Sequence, residues 1–169
     1  MDTDVNELLV RDISRVVVAR VAPAENASFR VVSDAYFANA NRRVPSRDGG
    51  TEPLGWGVGE AVTLLTPIVL TAMTEAIQYL LVEIARTAVS RGRVAAAGTI
   101  RRLFGLDRHP DGGDPSAETA DLAVELTDHQ WAAVRRIVVD VAQRSGLSED
   151  KAALIGDAVL GAGHNQDKR

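Results

Sequence analysis

An all-α fold follows from three features of this 169-residue sequence. Apolar side chains recur at helical spacing, the 22-residue stretch Ala61 to Val82 carries one charge, Glu75, and segments of Pro, Gly and Asp punctuate the rest. Together they predict a bundle of about six helices around one long apolar central helix, with a C-terminal helical hairpin after a flexible linker. Residues 1–105 form a helical domain in this reading, 106–120 the linker, 121–163 the hairpin and 164–169 a frayed tail.

Asp4 and Glu7 have the spacing of reciprocal capping residues, so a first helix is expected from Val5 to Val21. Leu9, Ile13, Val16, Val17 and Arg20 recur along one side, and Pro23 stops the run. A second helix follows from Ala24 to Ala40, burying Phe29, Val32 and Tyr36. A β-hairpin pairing residues 15–21 with 28–32 is the rival, because β-branched runs favour strands. Residues 41–55 gather Pro, Gly, Asp and Ser without periodicity and read as a solvated loop.

The long central helix is expected at about 60–90, on the order of 45 Å at 1.5 Å per residue, with Gly92 as its C-cap. Glu60, Thr71, Glu75, Gln78, Glu83 and Arg86 fall on one stripe, and the rest of the circumference is mostly apolar. Leu64, Leu65, Ile68, Val69, Ile77, Leu80 and Leu81 are therefore core or partner-facing positions. Pro67 predicts a kink, because it lacks the N–H that completes the ladder.

A shorter helix, Arg93 to Phe104, carries Ala97, Ile100, Leu103 and Phe104 on one side and ends at Gly105. The segment Asp107 to Ala117 has almost nothing to bury and forms the linker. Thr127 and Gln130 have capping-box spacing ahead of Trp131, Val134, Val138 and Val141. Ser145-Gly146 ends that helix, and Ser148 caps the next, Glu149 to Gly161, with Ala152, Ile155 and Val159 facing inward. The two ends share a faint likeness, residues 14–37 against 135–160. Two hairpins packed equivalently around the long helix or a shared bias towards Val and Ala would each produce it.

Composition narrows the chemistry. Cysteine is absent, which removes disulfides, thiolate nucleophiles and Cys-based zinc sites. The first ten residues carry acids where an export signal needs bases, so a cytoplasmic protein is expected, with association at the inner face of the membrane as a further option. Residues 1–105 hold 12 basic and 11 acidic side chains, whereas 106–169 hold 7 and 12, so an acidic C-terminal part follows a longer balanced one. Between Ile84 and Phe104 lie Arg86, Arg91, Arg93, Arg101 and Arg102 with no acid, a candidate contact for an anionic surface.

No motif assembles into a catalytic constellation. The glycines of residues 55–60, GWGVGE, match neither a dinucleotide fingerprint nor a P-loop, and Glu60 would repel a phosphate. His109, His129 and His164 lie apart, with Glu125 and Asp167 as the sole spaced acids for the latter two. A serine hydrolase lacks G-x-S-x-G here. Glu60 and Glu75 would be an acid–base pair if both were buried. These features predict no enzyme, cofactor, metal or small-molecule substrate. The hairpin has the outline of a helix-turn-helix, but Glu149 and Asp150 open its second helix, where phosphates would lie, so DNA binding through it is not expected.

Asp34 to Phe37 (DAYF), Leu54 to Pro67 (LGWGVGEAVTLLTP) and Leu126 to Ala142 (LTDHQWAAVRRIVVDVA) resemble segments of small α-helical proteins of unknown function from actinobacteria. The chain is similar in style to helical modules that accompany effectors in bacterial conflict and signalling systems. That resemblance implies an adaptor that binds a protein partner or itself. Two other readings come from the residues alone. A membrane anchor or effector would use 61–82 with the 86–102 arginines, at a cost of about 3 kcal/mol for Glu75 near the bilayer centre. Nonspecific nucleic-acid binding would use the same arginines, though Phe104 is the one aromatic close by.

Overall fold

The computed structural model describes residues 2–40, 64–87, 93–106 and 126–164. Every regular element in them is helical: α1 (Asp2–Val21), a 3-10 turn (Pro23–Ala27), α2 (Phe29–Ala40), α3 (Leu65–Thr87), α4 (Arg93–Leu103), α5 (Asp128–Arg144) and α6 (Glu149–His164). The β-hairpin alternative is thereby removed, since residues 15–21 lie inside α1 and 29–32 inside α2.

The fold is an all-α bundle with α3 at its centre, packed against α1, α2, α4 and α5. Helices α3, α5, α6 and α1 close a ring, each touching the next, while α2 and α4 lie against the α1/α3 pair. One continuous apolar core runs through all six helices. In α3, Val69, Leu70, Ala72, Met73, Ala76 and Leu80 are fully enclosed. Helix α1 is as central as α3, with Leu9, Val10, Ile13, Ser14, Val17 and Val18 all buried. The hairpin shares this core: Trp131, Val134, Val138, Val141, Ala152, Ile155 and Val159 are buried where α5 meets α3 and α6 meets α1.

Helix ends follow local chemistry in the C-terminal part. The Thr127 hydroxyl accepts from the Gln130 backbone N–H at 3.3 Å, and the Gln130 side-chain oxygen accepts from the Thr127 N–H at 2.9 Å, the reciprocal capping box. At the other end of α5, Gly146 adopts φ 87°, letting Leu147 N–H reach Ala142 O at 3.1 Å and Gly146 N–H reach Gln143 O at 2.9 Å. The same paired bonds close α4, where Gly105 has φ 67°.

Four boundaries and one face differ from the sequence expectation. Helix α1 starts at Asp2, so Asp4 lies inside it rather than at its cap, and Glu7 turns to Arg11 at 2.8 Å. Residues 23–27 form a 3-10 turn rather than the start of α2, and α2 buries Phe29, Ser33 and Phe37, with Val32 and Tyr36 at its half-buried flank. Helix α3 begins at Leu65 rather than near residue 60; Pro67 therefore falls in the first turn, where backbone N–H groups have no helical partner, and causes no break. Helix α6 continues past Gly161 to His164, because Gly163 is buried directly against Trp131. The expected loop at 41–55, the linker core at 107–117 and residues 165–169 lie outside the described residues.

Candidate interaction surface

Residues placed on the polar stripe of α3 now define its outer face. Gln78 and Arg86 are exposed, Thr71, Glu75 and Glu83 half-buried, and Glu60 lies outside the described residues. Where this face meets α5, Glu75, Gln78, Tyr79, Val82, Glu83, Arg86 and Ile137 line an open groove of about 650 Å³. Tyr79 and Ile137 pack against the core from its floor, and Val82 is 50% exposed. Charge encloses this apolar strip: Arg144 bonds Glu75 at 3.2 Å across the α3/α5 seam and Asp140 at 2.9 Å along its own helix, and Arg86 approaches Glu83 at 3.8 Å. Leu8, Val31, Leu64 and Leu154 are also exposed apolar side chains, but Val82 is the one that lines this groove. A second depression, about 410 Å³, lies on the outer face of α5 between Arg135, Arg136, Val139 and Asp140.

The apolar positions singled out on the long helix divide between core and surface. Ile68, Val69, Ile77, Leu80 and Leu81 are buried, Leu65 is half-buried, and Leu64, one residue before the helix, is 40% exposed. Side-chain burial thus follows the apolar circumference from Leu65 onward.

The arginines do not form one free patch among the described residues. Arg101 bonds Asp12 of α1 at 3.0 Å, Arg86 faces the α3/α5 groove, Arg102 is exposed on α4, and Arg93 begins α4. Arg91 lies outside the described residues. Pairing across helices, invisible to a search for runs of like charge, commits Arg101 to a carboxylate on a neighbouring helix. The same holds for Arg135, which bonds Asp157 of α6 at 2.8 Å.

Two polar constellations went unread in the sequence. Glu25, in the 3-10 turn, accepts at 2.8 Å from the Leu65 N–H, at 2.8 Å from the Thr66 N–H and at 2.7 Å from the Thr66 hydroxyl. A carboxylate therefore caps the positive end of α3 from 40 residues away in sequence. Arg11 of α1 donates to Asp34 and, at 3.4 Å, to Ser33 of α2, and stacks 4.8 Å from the Phe37 ring centre. Burial works against the Arg11 charge, but the bonds to Asp34 and Glu7 outweigh it and hold the guanidinium above its ordinary pKa.

Of the residues considered for catalysis, the described ones do not converge. Glu75 sits in an ion pair at 44% side-chain exposure, His129 is exposed, and Glu60 and His109 lie outside the described residues. Among the described residues no three His, Asp or Glu side chains come together as a metal site. Glu149 and Asp150 are exposed in the first turn of α6, as the sequence placed them.

Fold and surface together define a class, an all-α bundle with an amphiphilic seam between two of its ring helices. Comparison of the chain with protein-family models, with curated proteins and with solved structures returns no match.

Proposed function

We propose that this chain is a non-enzymatic helical interaction module whose docking surface is the α3/α5 groove, fitted to an amphipathic helix of a protein partner or of a second copy. One observation carries the reading: Val82 stands 50% exposed above half-buried Tyr79 and Ile137, inside a rim of Glu75, Gln78, Glu83 and Arg86. An apolar, aromatic-bearing centre within a charged rim is the usual anatomy of a protein interface. The apolar circumference of α3 is otherwise covered by the chain's own helices, which supports a protein role for this helix. Sedimentation and light scattering of the full chain, alone and with proteins it retains on a column, test the proposal. Val82→Glu should abolish association while leaving the helical circular dichroism unchanged. A strict monomer whose retained proteins are indifferent to Val82→Glu overturns it.

A second reading, insertion of α3 into a bilayer, is favoured by one feature. Leu65–Ile84 is 20 residues long with a mean hydropathy of 1.5, long and apolar enough to cross a membrane. Against it, 56% of that stretch is buried within the bundle, and Glu75 and Glu83 lie inside it. Flotation of the protein with vesicles of anionic and neutral lipid separates the readings: retention in the lipid fraction at high salt favours insertion.

A further inference from the structure

The ring of α3, α5, α6 and α1 closes without α2, which among the described residues packs mainly against α1, α3 and the 3-10 turn. Helix α2 buries Phe29, Ser33 and Phe37 and leaves Val31 67% exposed, so its apolar grip is slight for twelve residues. A helix this short is marginal in water unless something holds it in place. Polar contacts supply the remainder. At one end Glu25 binds Leu65 and Thr66 at the start of α3; further along, Arg11 binds Asp34 and Ser33 and covers Phe37, and the Tyr36 hydroxyl meets Thr71 at 3.2 Å. Helix α4, the other helix outside the ring, also holds to α1 by an ion pair, Arg101 to Asp12, but it buries Ala96, Ala97 and Ile100 as well, and Phe104 just beyond its end packs edge-on against Trp131 of α5, 6.0 Å between ring centres.

We propose that the 3-10 turn and α2 form a strap that opens as one unit from the α1/α3 pair while the four-helix ring stays closed, with Glu25 and Arg11 as its two clasps. Opening bares the sides of α1 and α3 beneath Phe29 and Phe37. It is independent of what occupies the α3/α5 groove. Directional, partly solvent-exposed bonds suit such a device, because losing one acceptor releases several donors at once.

Hydrogen exchange of the full chain under native conditions, read by mass spectrometry, tests it. In the unaltered protein the amides of residues 29–39 should exchange together and at least about tenfold faster than those of α5. Glu25→Ala and Asp34→Asn should each accelerate residues 29–39 about tenfold further and leave α5 and α6 within about twofold. Asp34 is exposed, so its substitution keeps the test usable if Glu25→Ala fails to fold. Asp157→Asn, which breaks the α5/α6 ion pair instead, should leave α2 unchanged. Equal protection of α2 and α5 in the unaltered protein overturns the proposal, as does acceleration of all helices alike in the clasp variants.

Discussion

Gly163 lies against the outer end of the Trp131 indole: a methyl group on its Cα would stand 2.1 Å from Cη2 and within 2.9 Å of two further ring carbons. Trp131 is itself buried and set edge-on to Phe104, so the ring has little room to retreat. In this way one glycine lets α6 approach α5 closely enough to join the aromatic contact with α4.

Gly163→Ala should therefore destabilise the protein, although alanine is the better helix former by about 1 kcal/mol. Overpacking a filled core costs about 1–3 kcal/mol and wins here. Urea unfolding followed by Trp fluorescence checks it; a midpoint unchanged or raised would show that the indole moves aside.

Ser14 makes the opposite case. It is fully buried on the inner face of α1, and its hydroxyl has no hydrogen-bond partner among the described residues. Ser14→Ala should stabilise the fold by about 1 kcal/mol, because the substitution removes a desolvated group and leaves no partner behind. A fall in thermal midpoint would reveal a bond made by that hydroxyl.

Pro67 should be nearly neutral to replacement. A proline within a helix costs about 3 kcal/mol, but its place in the first turn of α3 forfeits no ladder bond. Pro67→Ala should shift stability by less than about 0.5 kcal/mol in thermal unfolding. A gain of several kcal/mol would place the start of the helix well before Leu65.

Legibility followed the distance over which each signal acts. The ends of α5 were readable because Thr127, Gln130 and Gly146 are local to it, and so was its buried stripe from Trp131 to Val141. The start of α3 was not, because its capping carboxylate comes from Glu25, whose role no spacing rule announces. Ser33 is buried beside Arg11, which donates to it, although hydrophobic spacing does not mark a serine as a core position. The arginine run pointed to a patch because the sequence does not reveal that Asp12 lies opposite Arg101. For the groove, Gln78 and Glu83 were legible as an outer stripe, whereas the exposure of Val82 depends on where α5 comes to rest.

That α5 covers a flank of α3 has a cost during synthesis. About 40 residues separate the end of α3 from the start of α5, so at ~5–20 residues per second the nascent chain carries an apolar rod with that flank uncovered for roughly 2–8 s. Crowded polysomes hold many such rods side by side, and the yield of native protein then depends on how quickly translation delivers the missing wall.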